Sequence, residues 1–548
     1  MTDPHKSQQA YDYPLLIKHL LHTPLAVAPK QEIVYVDKRR YTYQEFNSRL
    51  ARLAQGLQSV GVKSGSTVAV MDWDSHRYLE CFFAVPMMGA VLHTINVRLS
   101  PEQILYTINH AEDDIIFVHT DFVPLIEQIK DRFERPIKLI LLQDDAIDSQ
   151  TTLELVAEYE DMLRQQSGEF EFPDFSEQTR ATTFYTTGTT GNPKGVYYSH
   201  RQLVLHTVAV TAALGASTGQ GRFHRNDVYM PITPMFHVHA WGIPYVATMM
   251  GVKQVYPGRY APEILLKLIQ AEKVTFSHCV PTILHMLLSS PIIDEIDLSN
   301  WSVIIGGAAL PRGLAKAAMA RGVDIYGGYG LSETCPVLTL AQLEPKMLEA
   351  DIDDQLDVRC KTGRPIPMVD IRVVDESMND VTHDGVSTGE VVVRSPWLTQ
   401  GYFKNPQGSD ELWRGEYLHT GDIGNINEQG YLQVTDRIKD VIKSGGEWIS
   451  SLALEDIVSR YPGISEVAAV GVPDERWGER PMVLIVFDEG SSATRDDICS
   501  HVNQYVESGE ISRWAVPEHV EFVESIPKTS VGKLDKKLIR RQYAEAKA

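Results

Sequence analysis

Twice along this chain an amphipathic helix is followed at once by a short apolar strand, and that alternation limits the fold more than any other feature. Thr42 and Glu45 have the spacing of a capping box; Phe46, Leu50, Leu53 and Leu57 then recur at helical intervals, and Thr67–Met71 is an apolar run behind a Gly-Ser turn. Pro262 opens a second helix carrying Leu265, Leu266 and Ile269, with residues 274–276 as the next strand. Helices alternating with buried strands predict α/β layers with parallel pairing.

The texture changes near Ile366. Val369, Ile371 and Val373 alternate, residues 391–393 form another apolar run, and a turn-rich stretch separates the two. Beyond Asp436 come an amphipathic segment, strands at 467–472 and 482–487, a helix near 495–508 and a strand near 520–523, enough for a separate α+β domain. The expected organisation is a large N-terminal domain of layered α/β sheets over 1–435, with a β-rich part at about 366–435, and a small C-terminal domain over 436–548. At 548 residues, a single core would be unusual.

The formal net charge of -21 opposes general binding to nucleic acid or an anionic membrane, so an anionic ligand needs a local cationic site. Cys81, Cys279, Cys335, Cys360 and Cys499 are scattered, with no Cys-x-x-Cys pair and no metal-ligand spacing. The N-terminus lacks a basic stretch followed by an apolar core, and eighteen consecutive apolar residues occur nowhere. Reduced thiols in a cytoplasmic protein without a membrane span are the expectation.

Residues 185–195 carry the strongest chemical signal. Thr186, Thr187, Gly188, Thr189, Thr190 and Gly191 precede Asn192, Pro193, Lys194 and Gly195, a loop able to offer backbone N–H groups, hydroxyls and one ammonium to polyphosphate oxygens. No Gly-Lys-Ser/Thr sequence is present, which disfavours a kinase or P-loop NTPase. Further on, Gly306, Gly307, Ala308 and Ala309 follow an apolar strand at 303–305. Gly327, Gly328, Tyr329, Gly330, Leu331, Ser332 and Glu333 end another. Small residues there leave room for an adenine beside Tyr329, Ser332 suits a phosphate contact, and Glu333 is a hard oxygen ligand fit for Mg2+. Gly421-Asp422 presents a carboxylate after a tight turn, suited to a ribose diol.

The string from Thr186 to Val196 closely resembles the signature loop of the adenylate-forming superfamily, and the later motifs follow in that superfamily's order from about Thr42 to Lys533. The resemblance implies that ATP is a substrate. Thr186, Thr187, Gly188, Thr189, Thr190, Gly191 and Lys194 would hold phosphates, and Gly307, Ala308, Ala309, Gly328, Tyr329, Gly330 and Ser332 would line the nucleotide pocket. Asp422 and Arg437 would hold ribose, and Glu333 would bind Mg2+. It also implies that Lys439 is a hinge, that the small domain moves, and that Lys533, ending Pro527-Lys528-Thr529-Ser530-Val531-Gly532-Lys533, enters the adenylation site. Departures are small, chiefly Thr187 where Ser is more usual and Ser332 where Thr is.

The acid is narrowed by residues 233–245. Amino-acid-activating relatives carry an Asp near here for the substrate ammonium, whereas this chain has Phe236-His237. Together with Lys443, Gly446 and Trp448 on the CoA-tunnel side of the lid, the segment is similar to the gate and linker of bacterial medium- and long-chain fatty acyl-CoA synthetases. That makes Trp241 the acyl gate, with His237 and Lys533 as candidate catalytic residues. By residues alone, Pro234 to Trp241 reads as a buried helix start, and a metal pair formed by His237 and His239 is disfavoured because i, i+2 histidines do not share a helix face. The implied activity is AMP-forming synthesis of a fatty acyl-CoA from acid, ATP and CoA, by a homodimer if the superfamily's habit holds. A short thioether acid such as 3-methylthiopropionate, or an aryl acid, is the rival within the scaffold. A luciferase-like oxygenase and an inactive nucleotide-binding regulator are the more distant ones.

Overall fold

The computed structural model describes residues 7–545 except 146–150, 187–191, 218–219, 445–446, 475 and 530–532. Four sheets organise these residues. The first has seven strands in the order Leu155–Glu158, Lys138–Leu142, Ile115–His119, Thr67–Met71, Val91–Thr94, Arg180–Thr186 and Lys194–Ser199, all parallel except the last pair. The second has nine strands. Its parallel centre runs Asp324–Gly330, Ser302–Ile305, Phe276–Cys279, Val228–Pro231, Lys253–Tyr256 and Glu32–Tyr35, with antiparallel strands at both edges.

Local sequence explains these elements. Thr42 and Glu45 form the capping box of helix Tyr43–Ser59, and its leucines are buried. All five residues of Thr67–Met71 are buried, as a parallel strand covered on both faces requires. Between the two large sheets lies helix His76–Met87, buried along its whole length and capped by Ser75, and helix His200–Ala216 packs into the same core. A second core covers the other face of the nine-stranded sheet. The strand expected at 274–276 is Phe276–Cys279, because Lys273, at φ 57°, closes the helix and the Val274 N–H still bonds Ile269 O.

The third sheet is antiparallel and joins Asp370–Val374, Gly389–Arg394, Trp413–Arg414, Tyr417–Ile426 and Leu432–Arg437. The fourth combines Ile442–Ser444, Glu447–Ile449, Ile464–Asp474, Gly478–Phe487 and His519–Phe522 under helices Ser451–Ser459, Arg495–Glu507 and Lys536–Glu545, with a core on each face. The architecture is the layered α/β assembly with a β-rich part and a small α+β C-terminal domain.

Asp422 departs from expectation. It stands inside the long strand Tyr417–Ile426, where Gly421 takes φ 68° and the pairing slips at Ile423. Residues 236–242 depart further. Val238, His239, Ala240, Trp241 and Gly242 take φ of 48°, 55°, 48°, 58° and 73°, one left-handed turn where a right-handed helix start was expected. Each non-glycine residue in that conformation costs roughly 1–2 kcal/mol, which the surroundings must offset. Met235 N–H donates to Asp74, Thr94 Oγ1 donates to Phe236 O, and the rings of Phe82, Phe184 and Tyr245 surround His239.

Candidate active site

Strand ends from three sheets and one loop of the small domain converge on a single cleft. Thr186 and Lys194 face one another across an antiparallel pair, so the predicted phosphate segment joins two paired strands. Thr187, Gly188, Thr189, Thr190 and Gly191 lie outside the described residues. Lys194 Nζ sits 4.4 Å from the centroid of the Tyr402 ring, and among the described residues it forms no ion pair.

From the nine-stranded sheet come Gly306, Gly307, Gly328, Tyr329, Gly330 and Ser332, all lining the cleft. Ala308 and Ala309 do not line it; they are exposed in the turn beyond, since the chain has already left the strand end. Tyr329 donates its hydroxyl to Asp422 Oδ2 at 2.7 Å, and Arg437 Nε lies 3.2 Å from Asp422 Oδ1. Asp422 and Arg437 are register partners on neighbouring strands, which fixes the pairing. Burial raises the Asp422 carboxyl above its ordinary range, while Arg437 and the Tyr329 hydrogen bond pull it back. The isolated carboxylate of the sequence reading is thus held by two partners that no local pattern announces.

Glu333 accepts a hydrogen bond from Tyr402 Oη at 2.7 Å, and its carbonyl accepts from Thr399 N–H at 3.0 Å. Among the described residues no group of three His, Cys, Asp or Glu side chains could hold a metal. One carboxylate still fits Mg2+, which takes most of its ligands from substrate phosphates and water.

Lys533 is tied to Thr529, whose N–H donates to Lys533 O and whose Oγ1 accepts from Lys533 N–H, while Lys528 is tied to Glu466 at 2.6 Å. Its side chain crosses Gly307, where an added Cβ would stand 3.2 Å from Lys533 Cε. Gly307 also has φ 78°, so both space and conformation call for glycine. Burial, then repulsion by Arg437, lowers the Lys533 ammonium to about 8; Asp422 and Glu333 oppose that shift. Lys194, Arg437, Lys439 and Lys533 supply the local cationic character that the net charge of -21 demands.

His237 lines both sides of the cleft, and burial followed by repulsion from Lys533 lowers its imidazole to about 3, so it is neutral near pH 7. Trp241 lies against Gly306, where a Cβ would come within 2.9 Å of the indole, and it stacks on His278 at 4.9 Å and 30°. Tyr229 and Thr233 hold the two ring nitrogens of His278 at 2.7 and 3.1 Å. The enclosed volume is only about 50 Å³ beside Tyr329 and about 30 Å³ beside Arg98, room for a few waters. Trp241 and Lys533 both line this space.

Lys439 is exposed in the turn that leaves the Leu432–Arg437 strand for the small sheet. Lys443 is exposed on Ile442–Ser444, opposite the backbone of Trp448. Gly446 lies outside the described residues, as does the Trp448 side chain.

The profile of the family described as AMP-binding enzyme matches residues 22–403, and that of the AMP-binding enzyme C-terminal domain matches 453–533. The chain belongs to the AMP-binding enzyme family. It is 38% identical over 515 residues to a long-chain-fatty-acid–CoA ligase of Thermus thermophilus, covering 92% of this chain and 91% of the relative. It is 35% identical over 550 residues to a 3-methylmercaptopropionyl-CoA ligase of Ruegeria lacuscaerulensis, covering 98% and 99%. Among solved structures, an anthranilate CoA ligase in complex with anthranoyl-AMP superposes with a TM-score of 0.85 at 24% identity, over 98% of this chain and 99% of that one. This member of the family is an ATP-dependent acyl-CoA synthetase, with ATP, CoA and a carboxylic acid as substrates.

Sequence reasoning missed two residues of this synthetase's cleft. Tyr402 touches both Lys194 and Glu333, and the only local hint was the Gly401-Tyr402 pair in a turn-rich stretch. His278 supports Trp241 from a buried strand, where it reads as an ordinary core position.

Proposed function

We propose that this synthetase activates a medium- or long-chain fatty acid in two half-reactions catalysed in alternate orientations of the small domain. In the first, the carboxylate attacks the α-phosphorus of ATP to give acyl-AMP and pyrophosphate. Thr186, Thr187, Thr189, Thr190 and Lys194 hold the phosphates, Tyr329 and the neighbouring glycines seat the adenine, and Asp422 with Arg437 takes the ribose. Glu333 would bind Mg2+, which supplies charge neutralisation on the phosphates. The observation that carries the reading is Lys533, brought by the small domain against Gly307 and His237, where two anions must meet. Neutral His237 shapes the path of the carboxylate without adding charge.

In the second half-reaction the small domain, taken as starting near residue 436, turns about Lys439. That turn withdraws Lys533 and brings Lys443, Gly446 and Trp448 toward the path of the CoA thiol, which attacks the acyl carbonyl and releases AMP. Trp241 and the relative from Thermus thermophilus favour a fatty acid. The short thioether acid stays as a second reading because a relative is named for 3-methylmercaptopropionate. A coupled AMP-release assay over straight-chain, thioether and aryl acids separates them: kcat/KM rising with chain length supports the first, and a maximum at a short thioether supports the second. The proposal includes a cytoplasmic homodimer, consistent with five unbridged cysteines and checked by sedimentation equilibrium.

A further inference from the structure

Segment 397–405 lies between the phosphate strand and the Glu333 turn and touches both. Phe403 N–H donates to Gly195 O at 2.8 Å, Tyr402 bridges to Val196, and Thr399 binds Glu333 O through its N–H and Tyr197 O through its hydroxyl. At the centre, the Tyr402 ring is 4.4 Å from Lys194 Nζ and its hydroxyl is 2.7 Å from Glu333 Oε1. Among the described residues, Tyr402 is the one donor to that carboxylate.

We propose that Tyr402 is a positioning residue for metal-bound ATP, holding Glu333 in the orientation that meets the metal and parking Lys194 on its ring until phosphates arrive. The inference rests on the reading of Glu333 and Lys194 given above. Lys194 and Glu333 contact the same ring, and a direct pair between them would compete with both the cation and the phosphates. The ring offers the ammonium a face instead of a carboxylate, and the hydroxyl uses one carboxylate oxygen while leaving the other for the cation. Ser409 Oγ, accepting from Tyr402 N–H at 2.8 Å, and the bridge to Val196 fix the backbone that carries the ring.

The test is equilibrium calorimetry of ATP binding to the full chain, without acid or CoA, once with Mg2+ and once with EDTA. Tyr402→Phe keeps the aromatic face and loses the hydroxyl. It should weaken binding of Mg·ATP about tenfold while leaving metal-free ATP within about twofold, because a hydrogen bond to a charged group is lost only where that group meets the metal. Tyr402→Leu should weaken both forms, since Lys194 loses its seat as well. A Tyr402 that merely packs would lower the melting temperature in both variants and leave the ratio of the two affinities at the wild-type value; that result, or a ratio that rises, overturns the proposal. Glu333→Gln serves as the control. If it leaves the ratio unchanged, the metal role of Glu333 fails; if it lowers the ratio and Tyr402→Phe does not, the role of Tyr402 alone fails.

Discussion

Lys533 gives the sharpest prediction, because its geometry and its protonation both enter the first half-reaction. Its ammonium lies against Gly307 and, through burial and the neighbouring Arg437, has a pKa of about 8. Folding with the lid docked lowers that value from the ordinary lysine range, so the charged form needed for adenylation is the one lost as pH rises through 8. The free enzyme's kcat/KM for ATP in acyl-AMP formation should therefore decline on the alkaline side with an apparent pKa near 8. Lys533→Arg, whose guanidinium stays charged, should lose that limb even if its rate is lower. Lys533→Ala should reduce adenylation about 10²- to 10³-fold, roughly 3–4 kcal/mol, the scale for one well-placed donor to developing charge. Thioester formation from supplied acyl-AMP should be largely spared in both variants. Pyrophosphate exchange reads the first half-reaction, and stopped-flow thioester formation reads the second. An alkaline limb that persists in Lys533→Arg, or equal losses in the two half-reactions of Lys533→Ala, would refute this reasoning.

Three other substitutions probe the rest of the cleft. Asp422→Asn removes the charge facing Arg437 and one acceptor for a diol, and should raise the KM for ATP at least tenfold with a smaller effect on kcat; an unchanged KM would dismiss the ribose role. Lys439→Pro should leave pyrophosphate exchange within about threefold and slow the CoA-dependent step, so an unimpaired second step would remove the hinge. Trp241→Ala unstacks His278 and opens the space beside Gly306, and it should shift preference toward longer acids, each added methylene gaining up to roughly 0.8 kcal/mol; a flat chain-length profile in both enzymes would argue against a gate.

What the sequence revealed and what it concealed divide by the range of the interactions involved. The Thr42–Glu45 capping box, the strand Thr67–Met71 and the helix opened by Pro262 depend on neighbours within a few residues, and all are present. Gly307, Gly328, Tyr329, Gly330, Ser332 and Lys533 were legible as candidates and line one cleft, whereas Thr187 to Gly191 lie outside the described residues. The partners of the cleft residues were not legible. Asp422 is held by Tyr329 from another sheet and by Arg437 from the neighbouring strand, and its Thr-Gly-Asp sequence reads locally as a turn when sheet pairing makes it strand. Residues 238–242 are left-handed because Asp74, Thr94 and a ring of aromatic residues over-determine them, and no propensity scale predicts four consecutive non-glycine residues with positive φ. Ala308 and Ala309 share a motif with Gly307, yet only Gly307 faces Lys533.

The central claim is that acid and ATP meet as an acyl-adenylate before CoA enters, and isotope transfer tests it most directly. With a carboxylate labelled in both oxygens by 18O, attack on the α-phosphorus makes one of them bridging, and CoA attack on the carbonyl leaves it on the phosphate. Mass spectrometry of products from a complete turnover should find one 18O in each AMP and none in pyrophosphate. Label in pyrophosphate or orthophosphate, or ADP in place of AMP, would contradict the account.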